Sequence, residues 1–466
     1  MGKAWATFGV DLHLEPAAAG AGGLRRGLTD ALRDAVRTGR LAQGTRLPSS
    51  RSLAADLGIA RNTVAEAYAD LVAEGWLTAR QGSGTRVAER AVTPPPAAPA
   101  APRRREPGRP ALSLVPGTPD LAAFPRTAWL KAARRALATA PFQALDYGDP
   151  RGARELRTAL AGYLARARGV RADPDSIVIT AGFSHALQIL GRVLRARGVR
   201  TVAVESYGLD VHWSLLRDAG LTTSALPFDE LGTDTSALAG EGAVLLTPAH
   251  QFPMGVPLHP DRRSAVVDWA RRTGALILDD DYDGEFRYDR QPVGALQGLA
   301  PDRVVHLGTA SKSLAPGLRL GWMVLPPSLL DEVTAAKGRI DTCGVLDQLT
   351  LAEFITSGAY DRHVRSARLR YRRRRDALTT AVADHAPEVR VSGIAAGLHA
   401  VLSLPPGTEQ SITQAAAWQG LALHGLSSYR HESAVAEHTD ALVVGYGTPP
   451  DSAWAGALEA LCRVLP

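Results

Sequence analysis

The sequence predicts a multidomain protein: a small α+β domain, a linker, and a large α/β domain that ends in an α+β subdomain. Three observations indicate this: the length of 466 residues, one proline-rich interruption, and a long alternation of helical patterns with short apolar runs. Hydrophobic cores stop growing beyond about 300 residues, so a chain of this length divides. Apolar residues make up 45% of the chain, enough for a sizeable core.

The interruption is residues 91–113, which contain seven prolines and the run Arg103–Arg105. Proline lacks a backbone donor and clashes with a helix, so the segment favours an extended linker. The arginines could touch a DNA backbone, although a solvated charge run is the favoured interpretation. The predicted order is an N-terminal arm at 1–22, a compact module at 23–90, the linker at 91–113 and a large domain at 114–466, with its smaller subdomain at about 340–466.

The net charge is carried by one part of the chain. Residues 1–110 contain 16 basic and 10 acidic residues, so their net charge of +6 equals that of the whole protein. A basic module beside a neutral body indicates a polyanionic partner for the module alone, although a solvated basic surface would look the same.

Composition excludes several classes of protein. Two cysteines, Cys343 and Cys462, are too few for a disulfide framework or a zinc site, and we expect thiols in a reducing cytoplasm. No apolar run reaches the roughly 18 residues of a membrane span. The first residues show no secretion signal.

The compact module begins with three predicted helices. The apolar stripe of the first helix consists of Leu24, Leu28, Leu32 and Val36, and Gly39 ends it. Ser49 or Ser50 caps a short second helix, and Gly58 turns the chain into a third helix at about 61–74. The third helix is predicted to bury Val64, Tyr68, Leu71 and Val72 and to expose Arg61, Asn62 and Thr63 in its first turn.

A hairpin follows the third helix. Residues 76–80 and 85–87 can pair around the glycine-rich run 81–84, which makes a wing with a flexible tip. Helix, short turn and helix followed by a wing predict a DNA-binding module whose second helix offers its first turn to the major groove. A structural or dimerisation module is the alternative. The excess charge, the exposed first turn and the wing are all expected on one surface, which favours a DNA-binding module over a structural or dimerisation module.

This module resembles the GntR family of winged-helix repressors. The resemblance covers about 65 residues and rests on Leu47–Arg51, Arg61–Val64, Glu74–Leu77 and Gly82–Thr85. It implies that Arg51, Arg61, Thr63 and the wing glycines contact DNA. Whether the arginines hold phosphates or guanine edges stays open. The candidate DNA-binding residues are Ser49, Arg51, Arg61, Asn62, Thr63, Arg80, Gly82, Ser83 and Gly84.

Beyond the linker, short apolar runs alternate with helical patterns as far as about residue 330. The runs are apolar on both faces, as the strands of a buried parallel sheet are. The alternation predicts an α/β sheet covered on both sides. The strand candidates are 176–180, 201–204, 243–246, 276–278 and 303–307.

A lysine among small hydroxyl residues follows the last of these runs. Lys312 has Thr309 and Ser311 before it and Arg319 seven positions after it. This pattern suits pyridoxal 5′-phosphate (PLP), because the amine forms a Schiff base with the aldehyde while the hydroxyls and the arginine hold the phosphate. A lone lysine is usually a surface loop residue, but the cluster favours the cofactor.

Three carboxylates follow another buried run. Asp279, Asp280 and Asp281 stand immediately before Tyr282. A buried carboxylate needs a cationic partner such as the protonated pyridine nitrogen of PLP, and Tyr282 can bond the phenolic oxygen. A metal site is the alternative, less favoured because no histidine sits among the carboxylates. The residues alone leave open which aspartate pairs with the nitrogen.

Two weaker signals fit the same ligand. Gly182, Phe183 and Ser184 join a strand end to a helix start, which brings backbone N–H groups to a phosphate. His250 or Gln251 follows the run 243–246 and could lie beside the cofactor ring, or either could be an ordinary loop residue.

Together these motifs, with Tyr147–Gly152, resemble the fold type I aminotransferase domain over residues 114–466. The resemblance favours Asp280 as the partner of the pyridine nitrogen, with Tyr282 beside the phenolic oxygen. It also puts Tyr207 beside the cofactor and Arg430 on the carboxylate of a substrate or effector.

The order of the parts resembles the MocR family of regulators, in which a GntR-type winged helix precedes an aminotransferase-like domain. The resemblance implies a homodimer whose promoter binding responds to PLP, an amino acid or an amine. Some amine-sensing relatives carry an arginine two positions after the tyrosine that matches Tyr207. Here that position is Leu209, so an effector with a second acidic group is less supported.

Alternative functions stay open at this point. The protein could be a working aminotransferase with an accessory DNA-binding domain, or a regulator that keeps the fold without PLP. Residual transaminase turnover is also left open. The arginine-rich run 362–375 is expected to form an amphipathic helix with a solvated or dimer-facing side, although it could bind DNA.

Overall fold

The computed structural model describes residues 23–80, 84–88, 110–288, 293–435 and 439–466. Two compact units divide the chain between Gly108 and Arg109, inside the proline-rich run. Gly82 and Ser83, both candidate DNA contacts, lie outside the described residues. Within the described ranges no helix combines the length and the apolar character needed to cross a membrane.

The first unit is a three-helix bundle with a hairpin. It contains helices α1 (Gly23–Arg37), α2 (Ser50–Leu57) and α3 (Arg61–Ala73) and strands β1 (Leu77–Arg80) and β2 (Gly84–Val87). The strands are antiparallel, with Leu77 opposite Val87. Leu32, Val64 and Leu71 are fully buried between the helices. These elements form the predicted winged helix.

Local chemistry explains the helix ends of this unit. The Ser49 side chain accepts a hydrogen bond from the backbone N–H of Ser52 at 3.1 Å and caps α2. Gly58 ends α2 in the left-handed region, with φ of +67°. Within the predicted apolar stripe Leu28, Leu32 and Val36 are buried, while Leu24, in the first turn of α1, is 51% exposed. Val72 is only half-buried.

The second unit is built on a seven-stranded sheet. Its order is β4-β12-β11-β10-β9-β5-β6. The strands of this sheet are β4 (Ile177–Thr180), β5 (Thr201–Glu205), β6 (Thr222–Leu226), β9 (Ala243–Leu246), β10 (Leu276–Asp280), β11 (Val304–Thr309) and β12 (Gly321–Val324). Two short strand pairs lie outside it: β3 (Leu112–Ser113) with β15 (Leu421–Ala422), and β7 (Phe228–Asp229) with β8 (Gly232–Thr233).

Helices cover this sheet and complete the unit. They are α4 (Arg126–Thr139), α5 (Arg154–Arg168), α6 (Phe183–Ala196), α7 (Asp210–Asp218), α8 (Pro260–Thr273), α9 (Leu330–Lys337), α10 (Val345–Thr356), α11 (Ala359–His385), α12 (Glu409–Trp418) and α13 (Asp451–Cys462). Separate apolar cores line the sheet; one contains Val178 and Leu278, and another contains Val244 and Ile277. The predicted two-sided α/β sheet is therefore confirmed.

The sheet is mixed rather than wholly parallel, which corrects the sequence interpretation. Strand β12 runs antiparallel to both β11 and β4, while β9, β10 and β11 are parallel neighbours. A parallel return needs a crossover of about a dozen or more residues, usually a helix. The loop from Thr309 to Gly321 carries only a short 3-10 turn, so the chain returns antiparallel.

A smaller antiparallel sheet forms the C-terminal part. It has the order β13-β14-β17-β16, with β13 (Arg390–Ser392), β14 (Ala400–Ser403), β16 (His424–Gly425) and β17 (Ala441–Val444). Its core also takes Leu114 and residues of α11, α12 and α13. Leu112 and Ser113, assigned to the linker from sequence, instead pair with Leu421 and Ala422.

The arginine-rich run lies within α11, a helix of 27 residues. Arg374 is buried and forms ion pairs with Asp120 at 2.9 Å and with Asp451. Arg368 donates to the Glu285 carbonyl. One side of the helix thus packs on the domain, while Arg362, Arg365, Arg372 and Arg373 are exposed.

Candidate functional site

A cavity of about 280 Å³ opens at the carboxyl ends of the central parallel strands. Glu205, Asp280 and Thr309 are the last residues of β5, β10 and β11, and Thr247 follows β9. All four line the cavity. Parallel α/β sheets place their ligand sites at this edge, because the loops that follow the strands converge there.

Lys312 lies in the cavity wall, in the loop between β11 and β12. Its ammonium group donates to the Gly117 carbonyl. Burial lowers the pKa of Lys312, and the carboxylates of Asp280 and Asp283 oppose that shift. A buried amine of lowered pKa is a better nucleophile toward a carbonyl carbon than an exposed lysine.

The three consecutive aspartates have separate surroundings. Asp281 accepts two bonds from the Arg168 guanidinium, at 2.6 and 2.8 Å, and both side chains are buried. Asp279 is not among the residues that line the cavity; its Oδ2 accepts from the backbone N–H of Leu296 at 3.0 Å, while its buried Oδ1 has no hydrogen-bond partner. Asp280 lines the cavity, and its buried Oδ1 has no hydrogen-bond partner. Burial raises the pKa of Asp280 well above its usual value, while Lys312 opposes the rise.

Tyr282 connects the cavity to a buried polar group behind it. Its hydroxyl lies 3.1 Å from His250 Nδ1 and 3.0 Å from the His250 carbonyl oxygen. His250 Nδ1 is also 2.8 Å from the Asp283 carboxylate. Among the described residues, His250, Asp283 and His399 are the set with metal-ligand character, and the direct His250–Asp283 bond satisfies two of them. The three consecutive aspartates do not belong to such a set.

One end of the cavity has the features of an anion site. Ser184, in the first turn of α6, and Arg319 both line it. The hydroxyl oxygens of Thr309 and Ser311 are hydrogen-bonded at 2.8 Å. Helix α6 begins at Phe183, after Gly182, without a side-chain cap, and Phe183 and Ser184 in its first turn line the cavity.

The backbone at Arg319 is unusual. Within the described residues it is the non-glycine residue with positive φ, at +51°. A Cβ on Gly182 would lie 3.2 Å from the Arg319 guanidinium, so the glycine allows the close approach. Left-handed backbone costs a non-glycine residue free energy and persists where surrounding structure fixes it, often at binding sites.

Tyr207 lines the cavity, whereas Arg430 is not among the lining residues. The two residues form an isolated antiparallel bridge. Burial raises the pKa of the Tyr207 hydroxyl, and a side-chain interaction with the Arg430 guanidinium opposes the rise. Gln251 is buried and donates to the Tyr207 carbonyl at 2.9 Å. Gln251 and His250, both candidates for a position beside the cofactor ring, are buried and are not among the residues that line the cavity.

Several cavity residues carried no sequence prediction. Glu205 accepts bonds from Thr233 and Thr247, and burial raises its pKa to about 7. His212 and His399 also line the cavity. The strand-end rule that selected Asp280 would also have selected Glu205. A lone histidine in a helix or loop carries no such signal.

The first unit exposes most of its candidate DNA contacts. Arg51, Arg61 and Asn62 are exposed at the starts of α2 and α3, while Thr63 is half-buried. Arg80 and Gly84 are exposed on the hairpin. Arg46 is an exposed cation that the sequence interpretation missed, and its guanidinium lies beside Gly84. Ser49 already uses its side chain to cap α2.

Two family models match the chain. "Bacterial regulatory proteins, gntR family" matches residues 24–87, and "Aminotransferase class I and II" matches residues 114–434. The crystal structure of an archaeal alanine:glyoxylate aminotransferase is similar over 76% of this chain and 90% of its own, with a TM-score of 0.68 and 26% identity.

Two curated relatives cover both units. The pyridoxine biosynthesis transcriptional regulator PdxR of Corynebacterium glutamicum is 35% identical over 86% of this chain and 88% of its own. The probable rhizopine catabolism regulatory protein MocR of Rhizobium meliloti is 32% identical over 87% of this chain and 86% of its own. A GntR winged helix joined to an aminotransferase domain defines a transcription regulator built partly on an enzyme fold. The chain belongs to the MocR family of such regulators.

Proposed function

We propose that the protein is a PLP-dependent regulator in which Lys312 binds the cofactor and the winged helix binds promoter DNA. The observation that carries the cofactor proposal is the carboxyl group of Asp280, which lines the cavity and whose buried Oδ1 has no hydrogen-bond partner. An unpaired buried acid is costly unless a cation completes it. A protonated pyridine nitrogen is such a cation.

The other cavity groups fit the remaining parts of PLP. Lys312 supplies the amine, and Tyr282 supplies a hydroxyl for the phenolic oxygen. Thr309, Ser311 and Arg319 supply donors for the phosphate, together with the backbone at Gly182, Phe183 and Ser184. When bound, PLP supplies an aldehyde that captures primary amines. Arg430 beside Tyr207 is suited to one carboxylate of an effector.

The proposed DNA surface joins the starts of α2 and α3 to the hairpin. Arg51, Arg61 and Arg80 are exposed there, and Asn62 offers an amide to a base edge. Since the DNA would be a bacterial promoter, this function requires the protein to act in the cytoplasm. The net charge of residues 1–110 supports the same assignment.

We further propose a homodimer through the second unit. Large apolar side chains are exposed on α4 and on the segments that flank it, a region that water would solvate poorly in a monomer. Phe142 is 91% exposed and Tyr147 is 85% exposed. The exposed set in this region is Leu121, Leu130, Leu137, Phe142, Leu145 and Tyr147. A second copy of the chain would cover this surface and present two winged helices to two half-sites.

Spectroscopy and DNA binding together test the proposal. The full chain, incubated with PLP, should gain a visible absorbance band that Lys312→Ala lacks. The same protein should bind DNA from its own promoter region with an affinity that falls steeply as salt rises. Sustained transamination at about 1 s⁻¹ or faster, without preference for any promoter fragment, would instead favour an enzyme with an accessory DNA-binding domain. Preferred DNA binding by a chain that never takes up PLP would favour a cofactor-free regulator.

A further inference from the structure

We infer that the effector of this cavity is an amino acid or amine with an uncharged, apolar side chain. The inference rests on the proposed function, because it concerns the space left after PLP has taken its contacts. Three features of the cavity carry it: the small number of cations, one carboxylate-binding group, and an apolar wall.

The cations of the cavity are already committed. Among the described lining residues, Lys312 and Arg319 carry full positive charges, and both are assigned to PLP. His212 and His399 also line the cavity, but burial disfavours the protonated form of both imidazoles. Burial, with a smaller contribution from Lys312, lowers the pKa of His212 to about 3. Burial lowers the pKa of His399 well below its usual value.

Arg430 is the proposed partner for one carboxylate of the effector. Arg430 forms a backbone bridge with Tyr207 and interacts with its phenol, and Tyr207 lines the cavity. A single guanidinium can hold one carboxylate through two parallel bonds. The described lining residues offer no further cation for a second acidic group. Such a group would also share the cavity with the carboxyl groups of Glu205 and Asp280.

The remaining wall is apolar. Leu209, Val211, Phe252 and Leu398 line it. Leu209 and Phe252 pack on the cluster that contains Tyr207, so they are close to the proposed carboxylate site. Val211 is 47% exposed, and a hydrocarbon group against it would lose contact with water. Burying a leucine-sized side chain corresponds to a roughly tenfold or greater gain in affinity.

L-Leucine and L-glutamate make a matched pair of probes, because they share a backbone and differ in side-chain charge. Calorimetric titration of the PLP-loaded full chain should give at least tenfold tighter binding of L-leucine. Leu209→Arg adds the missing cation to the wall, so this variant should bind L-glutamate at least tenfold tighter than the parent protein does. Leu231→Arg is the control, since Leu231 is 47% exposed and outside the cavity lining.

The possible outcomes distinguish failure of the inference from failure of the proposed function on which it rests. A chain that shows the cofactor band but binds L-glutamate as tightly as L-leucine, or binds neither, overturns the inference and leaves the PLP assignment intact. A chain without the cofactor band overturns the proposed function and the inference with it. If Leu231→Arg tightens L-glutamate binding as much as Leu209→Arg does, the inference is also overturned. The added positive charge would then act from outside the cavity and not through a contact in its wall.

Discussion

Asp281 and Arg168 form a buried ion pair with two bonds, at 2.6 and 2.8 Å, directly beside the unpaired Asp280. The backbone explains the difference between the two acids. Successive side chains of a strand point to opposite faces of the sheet. Asp280 is therefore the acid that faces the cavity, while its neighbours are held by other parts of the domain.

This arrangement predicts opposite results for two adjacent substitutions. Asp281→Asn leaves the buried Arg168 charge without its counterion, so the free energy of unfolding should fall by about 3 kcal/mol or more. Asp280→Asn removes an unpaired buried acid, so the cofactor-free protein should be equally stable or more stable, yet it should bind PLP at least tenfold more weakly. Urea denaturation and absorbance titration measure the two effects. Equal loss of stability in both variants would contradict the distinction.

The same three aspartates show how far sequence reasoning reaches. The strand-end position and the need for a cation indicated a PLP partner among Asp279, Asp280 and Asp281. The residues alone could not choose one, because the choice depends on which face of β10 meets the cavity. That face is set by the neighbouring strands and by the position of Arg168, which is 113 residues away in sequence.

Two other features required the folded chain. Lys312, Thr309 and Arg319 are close in sequence, so their motif was visible, whereas β12 was not predicted as an antiparallel strand. The residues around His212 and His399 have no distinctive spacing, so neither histidine could be assigned a role from sequence. Long-range packing brings both to the cavity.

Glu205 predicts a pH dependence of stability. Burial raises its pKa from 4.5 to about 7. Across that window the folded chain holds a proton that the unfolded chain has released, so the free energy of unfolding falls as pH rises. Glu205→Gln cannot lose this proton, so its stability relative to the parent protein should increase from pH 4.5 to pH 7. The increase should be about 1.4 kcal/mol per unit of pKa shift.

Urea denaturation of the cofactor-free protein at several pH values measures this difference. Glu230→Gln is the control, because Glu230 is exposed, and its curve should run parallel to that of the parent protein. A constant offset between Glu205→Gln and the parent across the whole pH range would show that Glu205 does not change its protonation in this window.

Substitutions of Arg319 should separate the effect of its backbone conformation on stability from the effect of its side chain on PLP binding. Its φ of +51° suits glycine better than any other residue. Both Arg319→Gly and Arg319→Ala should bind PLP at least tenfold more weakly, because both lose the guanidinium. Arg319→Gly should nevertheless be more stable to urea than Arg319→Ala by about 1 kcal/mol, because alanine keeps the backbone strain. Equal stability of the two variants would mean that the backbone relaxes out of the left-handed region.

Arg61 predicts how the winged helix holds DNA. It is the first residue of α3 and is exposed. If it contacts a phosphate, Arg61→Ala should weaken binding to promoter and unrelated DNA alike and lower the slope of log affinity against log salt by about 1. If it contacts a guanine, the loss should be about 1 to 3 kcal/mol and confined to the promoter. Arg37→Ala is the control, because Arg37 is exposed at the end of α1 and pairs with Asp34 at 3.0 Å. Fluorescence anisotropy over a range of salt concentrations distinguishes the two contacts, and unchanged binding by Arg61→Ala would remove α3 from the proposed DNA surface.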